Sequence, residues 1–179
     1  MNNSNKDKTP SQITLRPATD ADCAALSRLA ITSKAHWGYD DTFLKACEES
    51  LTVTPALLAE HRVILAQSGA AAQCKADAVS DEGAGEPLGY YALSQDRNEA
   101  EVAHCFVSPA AIGKGIGGRL WKDLEAFALS QGATQLTVLS DPNAAGFYRR
   151  MGMEDAGTEP SDVFGSARPL PVLKKRLGS

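Results

Sequence analysis

A cluster of glycines in the second half of the chain constrains its fold more than any other feature. The stretch Val107–Gly118 reads VSPAAIGKGIGG, so four of its last six residues are glycine, and an apolar repeat typical of a helix follows. Backbone N–H groups at the start of a helix attract anions, and glycines without Cβ atoms let a diphosphate approach closely. The stretch therefore predicts an anion-binding corner between a strand and a helix. Its cradle would consist of six consecutive residues: Gly113, Lys114, Gly115, Ile116, Gly117 and Gly118.

The length and composition of the chain predict a single domain. The chain has 179 residues, of which 43% are hydrophobic, and this is enough for a core of ordinary size. Residues 1–10 are polar and predict a disordered tail, which leaves residues 11–179 as the expected domain. Within it, residues 68–87 are rich in Ala, Gly, Ser, Asp and Glu, which predicts a mobile loop inserted between two strands.

The charge and the cysteines restrict the partners of this domain. The net charge is −4 and no basic stripe runs along the sequence, which argues against a nucleic-acid partner. No apolar stretch is long enough to span a membrane. The four cysteines are irregularly spaced and have no histidine at ligand spacing, so we expect reduced thiols in a cytoplasmic protein and no metal site. A homodimer is a possible assembly, because symmetric dimers are the commonest oligomers of small soluble enzymes.

The hydrophobic pattern predicts a mixed sheet. Leu88–Leu93 and Val102–Val107 are joined by a short polar turn, so these two strands should be antiparallel. A whole helix separates Val102–Val107 from Gln135–Leu139, so that pair should be parallel, in a βαβ step. The remaining predicted strands are Ile13–Arg16, Val63–Ala66 and two weaker segments, around Gly157 and over Val172–Leu177. The predicted class is α/β, antiparallel in its first half, with one parallel step at the glycine corner.

Apolar residues three and four positions apart predict the helices between these strands. One begins near Thr19, another at Asp41, and a short one follows Pro55. The longest leaves the glycine corner and ends at Gly132, and the last is opened by the turn at residues 141–143.

A dinucleotide cofactor is one candidate for the glycine corner. Gly113, Gly115 and Gly118 match the GxGxxG fingerprint, and Asp141 after the next strand could bind a ribose. A dinucleotide fold, however, runs its strand directly into the first glycine, whereas residues 108–112 intervene here. Its sheet is also parallel throughout. An NAD-type oxidoreductase is therefore the less favoured interpretation.

Two motifs together resemble the GCN5-related N-acetyltransferase (GNAT) family. Val107–Leu120 is similar to the acetyl-CoA-binding motif of the family. Asp141–Gly152, which reads DPNAAGFYRRMG, is similar to its second motif, in which an Asn opens a helix and a Phe-Tyr pair precedes a glycine. The resemblance covers most of the chain outside residues 68–87, and it implies a GNAT-like fold with acetyl-CoA as co-substrate. Ile112 departs from the family pattern, which would place Gln or Arg there to contact the phosphates. Lys114 or Arg119 could supply the compensating charge, although both could equally be solvated residues at the start of the helix.

The resemblance also implies an activity. A GNAT enzyme would transfer an acetyl group from acetyl-CoA directly to the amine of a small molecule or a peptide. A CoA-binding sensor or regulatory module without turnover is the alternative from another class. Such a sensor would keep the glycine corner but tolerate the loss of Tyr148, the tyrosine of the Phe-Tyr pair.

Acetyl transfer to an amine needs a proton acceptor and a proton donor. An alkylamine has a pKa of about 10.4 and must be neutral to attack, while the departing thiolate must be protonated. Tyr148 keeps its proton at neutral pH and is the predicted acid, as the resemblance also implies. Glu101, slightly favoured, and His104 are the candidate bases on the strand before the corner. In an unbroken strand Glu101 would share a face with Val107, and His104 would face the other way. A bulge near the corner could reverse the order of preference between these two bases.

The remaining site residues are assigned to the cofactor and the acceptor. Asn143 caps a helix and, by the resemblance, lies near the pantetheine arm, with Phe147 packed beside the cofactor. If the two parallel strands splay apart at the corner, free backbone groups of Phe106 and Val107 could bond the pantetheine amides. The resemblance places the acceptor amine near three aromatic residues: His36, Trp37 and Tyr39.

Overall fold

The described part of the chain forms one mixed sheet of seven strands. The computed structural model describes residues 13–68, 86–161 and 165–178. The strands are β1 (Ile13–Pro17), β2 (Arg62–Ser68), β3 (Pro87–Asp96), β4 (Glu99–Val107), β5 (Gln135–Leu139), β6 (Glu154–Ser161) and β7 (Gly165–Arg176). Their spatial order is β1-β2-β3-β4-β5-β7-β6. Among these strands β4 and β5 pair in parallel and the other neighbours are antiparallel, which confirms the predicted α/β class with one parallel step.

Two of the predicted segments fall largely outside the described residues. The predicted tail, residues 1–10, lies outside them entirely, as do residues 69–85 of the predicted loop. The two ends of that loop are described, and they belong to strands: Ser68 ends β2 and Pro87 begins β3.

Helices cover both faces of the sheet, which explains the apolar run in β2. The helices are α1 (Cys23–Ala35), α2 (Asp41–Ala46), α3 (Glu48–Leu51), α4 (Pro55–Glu60), α5 (Ile116–Ser130) and α6 (Ala145–Arg150). Val63 and Leu65 pack with α1 in one hydrophobic core, while Ile64 and Ala66 pack with α5 in the other. Successive side chains of a strand point to opposite faces, so both faces of β2 are buried. Every helix in this part of the chain is too short or too polar to span a bilayer.

Three local details differ from the sequence prediction. The single helix predicted from Asp41 is broken at Cys47 into α2 and α3, although its apolar side stays buried. The turn between β3 and β4 is shorter than predicted, because it needs only residues 97 and 98. Arg97 supports this tight turn with a left-handed backbone, at φ 53°. As a result β4 begins at Glu99, three residues before the predicted start.

The two weak C-terminal strand segments are parts of a long antiparallel hairpin formed by β6 and β7. Pro169 and Pro171 lie inside β7, although proline cannot donate to a ladder. The pairing of β7 with β5 ends at Val172, so both prolines lie where β7 extends past its neighbour. On the β5 side a missing N–H therefore costs no ladder bond, and the carbonyl of Pro171 still accepts from the Ser140 N–H at 2.8 Å.

A bulge in β4 changes the orientation of the two candidate bases. The register of β4 against β3 skips Ala103, which leaves the ladder as an extra residue. Such a residue shifts the alternation of faces by one. Glu101 and His104 therefore both face the α1 side of the sheet, while Val107 faces the α5 side. The faces predicted for an unbroken strand, with Glu101 on the side of Val107 and opposite His104, are therefore wrong for β4, and the bulged alternative applies.

The parallel strands β4 and β5 separate beside the glycine corner. They are paired from Glu99 to Val102 on β4 and from Gln135 to Val138 on β5. Beyond Val102, β4 continues to Val107, and the structure records no β5 partner for that half among the described residues. The splay that the sequence analysis considered is therefore present.

Candidate functional site

A cleft of about 760 Å³ opens where β4 and β5 separate. Its walls come from the end of α1, the unpaired half of β4, the glycine corner and α6. These elements are distant in sequence, and the parallel step brings them together. The cleft therefore joins the predicted anion-binding corner and Tyr148 in one cavity.

The backbone of the glycine corner is suited to hold a diphosphate. Gly113 and Gly115 adopt left-handed conformations, at φ 78° and 80°, which explains why glycine occupies both positions. The first N–H of α5 with a helical acceptor is that of Arg119, which bonds the Gly115 carbonyl at 3.1 Å. The N–H groups in the preceding turn have no acceptor within the helix. A Cβ added at Gly113, Gly115 or Gly118 would meet no atom within 4 Å, so the space above these residues is open.

Lys114 takes less part in this cradle than the sequence suggested. Its N–H already donates to the carbonyl of Ala111 at 3.2 Å, and Lys114 is not among the residues that line the cleft. The other five residues of the predicted cradle do line it.

One cationic side chain in the cleft belongs to a residue that was not predicted from the sequence. Ile112, 45% exposed, lines the cleft where Gln or Arg was expected. Arg119 does not compensate, because its guanidinium donates to the carbonyl of Ile13 at 3.2 Å. Arg150 at the end of α6 lines the cleft and brings a guanidinium to the same cavity. Its place in the second motif was the signal that could have identified it.

The unpaired half of β4 and the start of α6 form the middle of the cleft. Phe106 and Val107 both line it, and so do Asn143 and Phe147. The prediction that Asn143 caps the helix is wrong, because the N-cap of α6 is Ala144 and the Asn143 side chain donates to the Tyr39 hydroxyl instead. The ring of Phe147 packs under the corner, since a Cβ added at Gly117 would lie 3.1 Å from it. The small residue at Gly117 thus lets α5 and α6 approach each other.

Tyr148 is a buried phenol in this cleft. It is 5% exposed, lines the cavity and makes edge contacts with Phe147 and Trp121, at ring distances of 5.2 and 5.9 Å. Burial raises its pKa well above the usual value, and a hydrogen bond with the Cys105 side chain acts in the same direction. Tyr148 therefore carries its proton across the physiological pH range and can donate it only to a strongly basic partner.

The two candidate bases have different surroundings. His104 lines the cleft, and its Nδ1 is hydrogen-bonded to the Tyr90 hydroxyl at 2.9 Å. Burial lowers the pKa of His104 to about 4, so the ring is neutral at pH 7 and weakly basic. Glu101 is exposed and does not line this cleft; it borders a separate depression of about 400 Å³ formed with β6 and β7.

Of the three aromatic residues predicted at the acceptor site, only Trp37 lines the cleft, with 43% of its surface exposed at the mouth. His36 packs edge-on against Trp37 at a ring distance of 5.4 Å. Tyr39 stacks on Phe43 at 4.3 Å and directs its hydroxyl to Asp141, at 3.0 Å from each carboxylate oxygen. Burial, followed by the charge of Asp141, raises the pKa of Tyr39 to about 12.

Asp141 itself is a polar cleft residue whose surroundings the sequence analysis did not predict. It lies just after β5 and lines the cleft together with Lys34 and Asn143. The Lys34 ammonium is 3.2 Å from one carboxylate oxygen, and the Asn143 N–H donates to the other at 2.9 Å. Asp141 was noted only as a turn residue and as a ribose ligand, because its partner on α1 is 107 positions away in sequence.

Comparisons with known proteins agree with this geometry. A family model described as an acetyltransferase (GNAT) domain matches residues 65–163, which is more than half of the chain. The peptidyl-lysine N-acetyltransferase YjaB of Salmonella typhimurium is 32% identical over 93 residues. That match covers 52% of this chain and 59% of the relative, so the matched region spans less than two thirds of the relative's length.

Solved structures share the fold at lower sequence identity. A GCN5-related N-acetyltransferase from Rhodopseudomonas palustris superposes with a TM-score of 0.68 at 22% identity, covering 93% of this chain and 97% of its own. The paia N-acetyltransferase of Thermoplasma acidophilum, solved in complex with coenzyme A, has a TM-score of 0.65 at 19% identity. The superposition covers 92% of this chain and 99% of the Thermoplasma protein.

Proposed function

The chain belongs to the GCN5-related N-acetyltransferase family, and on that premise we propose that it transfers an acetyl group from acetyl-CoA to a primary alkylamine. The observation that carries the proposal is the single cleft lined by both the glycine corner and Tyr148. The acceptor we propose is a lysine side chain of a peptide or a small molecule with the same alkylamine group. Its support is the similarity to a relative named for peptidyl-lysine acetylation.

The proposed position of the cofactor follows from the groups that line the cleft. The diphosphate lies against the free N–H groups at the start of α5, with Arg150 as the nearby cation. The pantetheine arm runs along the unpaired edge of Phe106 and Val107, where its amides complete the ladder that β5 leaves open. Asn143, in the turn before α6, and Phe147 on α6 contact the same arm.

The proposed chemistry is direct transfer. The neutral amine attacks the thioester carbonyl, the carbon–sulfur bond breaks, and the sulfur leaves with the bond's electron pair. Tyr148 donates its proton to that sulfur, and the proton that the attacking nitrogen loses as it becomes an amide returns to the Tyr148 oxygen through solvent, which regenerates the phenol. A thiolate developing in a buried site is the strongly basic partner that a phenol of raised pKa requires.

The proton of the attacking ammonium is assigned to solvent. Glu101 lies outside the cleft, and His104 has a pKa of about 4 and already shares a hydrogen bond with Tyr90. An imidazole with that pKa is a poor acceptor for the proton of an amine whose pKa is about 10.4. The proposal therefore makes the rate depend on the small neutral fraction of the acceptor, and His104 serves as a polar wall of the cleft.

The test is release of CoA thiol from acetyl-CoA in the presence of a panel of polyamines, amino acids, aminoglycosides and lysine peptides. We expect thiol release with at least one alkylamine and its loss in Tyr148→Phe. Heat protection by CoA shows whether the variant still binds the cofactor. Protection by CoA without thiol release from any amine would instead support a sensor or regulatory module.

A further inference from the structure

The carboxylate of Asp141 is held rigidly at the wall of the cleft. Tyr39 places its hydroxyl 3.0 Å from both oxygens, and the backbone N–H of Asn143 donates to one of them at 2.9 Å. The side chain of Asn143 also donates to the Tyr39 hydroxyl, at 3.1 Å. These contacts fix Asp141 from the α1–α2 loop and from the turn before α6, without help from a cation.

A cation nevertheless contacts one of these two oxygens. The ammonium of Lys34, in the last turn of α1, lies 3.2 Å from Asp141 Oδ2. The side chains of Lys34 and Asp141 are only 16% and 17% exposed. The structure thus shows an alkylammonium bound to a carboxylate inside the cleft, which is the chemistry that an alkylamine acceptor would need.

Asp141 is also the one carboxylate among the described residues that line the cleft. Glu101, the acid predicted from sequence, borders a different depression. An acceptor with a primary amine enters as a cation at neutral pH, because the pKa of an alkylamine is about 10.4. A cation moved from water into a partly buried cleft needs an opposite charge there.

Resting on the function proposed above, we propose that Asp141 binds the ammonium of the acceptor and that Lys34 holds this place until the acceptor displaces it. The exchange conserves charge, since one alkylammonium leaves the carboxylate as another arrives. Lys34 has a flexible four-carbon stem at the end of a helix, so its ammonium can move to the solvent at the mouth of the cleft. Tyr39 and Asn143 keep the carboxylate in place during the exchange.

The position of Asp141 relative to Tyr148 supports this role. Both residues line the same cleft, Asp141 just after β5 and Tyr148 on α6. The negative charge of Asp141 contributes to the raised pKa of Tyr148, so the two groups interact electrostatically. An acceptor bound at Asp141 would therefore lie on the α1 side of the cleft, close enough to Tyr148 for the two to interact electrostatically.

The proposal makes two substitutions act in opposite directions. Lys34→Met keeps the length of the side chain but removes the internal competitor, so the KM for the acceptor should fall roughly three- to tenfold. Asp141→Asn keeps the shape and the bond from the Asn143 N–H but removes the charge, so the same KM should rise roughly tenfold or more. If the ion pair only joined α1 to the turn before α6, both variants would loosen the site and raise the KM together.

The experiment measures KM and kcat with a lysine blocked at its amino and carboxyl ends, using thiol release at saturating acetyl-CoA. Lys34→Arg, which restores a cation beside Asp141, is the matched control and should return the KM toward the wild-type value. Melting temperatures and heat protection by CoA, measured for each variant, separate acceptor binding from folding and cofactor binding.

The outcomes distinguish this inference from the proposed function. A lower KM in Lys34→Met together with a higher KM in Asp141→Asn supports the role of Asp141. Turnover by the wild type with an unchanged or raised KM in Lys34→Met overturns the inference alone. Lack of thiol release by the wild type with every amine overturns the proposed function and the inference with it.

Discussion

Gly118 offers a direct test of where the diphosphate binds. It is in the first turn of α5, and a Cβ built there meets no protein atom within 4 Å. Its φ lies outside the left-handed region, unlike that of Gly113 and Gly115, so Gly118→Ala fits the backbone. The added methyl group would instead enter the open space above the cradle, where we propose that the diphosphate lies.

The expected changes in stability and affinity have opposite signs. Alanine favours a helix over glycine by about 0.5–1 kcal/mol, so Gly118→Ala should raise the melting temperature of the free protein by about 1–4 °C. Loss of one charge-assisted hydrogen bond to a phosphate costs about 1.5–3 kcal/mol. The dissociation constant for CoA should therefore rise by a factor of about ten or more. At a CoA concentration 100 times the wild-type dissociation constant, protection should then fall from about 2.7 to about 1.4 kcal/mol.

Melting curves with and without CoA measure both effects on one sample. The neighbouring substitution Gly117→Ala is the matched comparison, because its Cβ would lie 3.1 Å from the Phe147 ring and should lower the melting temperature of the free protein. If Gly118→Ala were protected by CoA as strongly as the wild type, the diphosphate would not lie against the start of α5.

Tyr148→Phe is expected to lower kcat by about 10²- to 10⁴-fold, because the leaving thiolate loses its proton donor, while heat protection by CoA stays within about twofold. The logarithm of kcat/KM for an alkylamine should rise with a slope near one between pH 7 and 9, because the neutral fraction grows and burial keeps the pKa of Tyr148 above this window. A plateau beginning near pH 7 would show that the enzyme has a base of its own. Burial holds the pKa of His104 at about 4 in the folded protein, whereas the unfolded chain takes up the proton at the ordinary pKa of histidine. Acidification from pH 6.5 to 4 should therefore lower the free energy of unfolding by about 3 kcal/mol. Urea unfolding at stepped pH measures this fall, which His104→Gln should largely remove.

Features that depend on local sequence were predictable. The glycines between Val107 and Gly118 and the apolar repeat after them indicated the strand, the corner and α5, and the structure contains all three. The parallel pairing of β4 with β5 followed from the length of the connection, because a crossover needs a helix. Much of the cleft lining was predictable as well, because it belongs to these same strands and helices.

Features that depend on a single extra residue or on distant contacts were not predictable. The bulge at Ala103 leaves no mark on the apolar alternation, yet it turns His104 and Glu101 to the same face. Nothing in the residues around Asp141 indicates that Lys34 and Tyr39, more than 100 positions earlier, will surround its carboxylate. Pairs of this kind depend on how α1 crosses the sheet, which local patterns do not specify.

The separation of β4 and β5 leaves an open seam inside the sheet. The backbone of β4 from His104 to Val107 has a partner in β3 but none in β5 within the described chain. A molecule that fills this seam with amide groups acts as a short eighth strand, so the native sheet is complete only while it is occupied. Saturation at 100 times the dissociation constant adds about 2.7 kcal/mol to the free energy of unfolding. Under the proposed function, the fold therefore links the resistance of this protein to heat and proteolysis to the supply of acetyl-CoA.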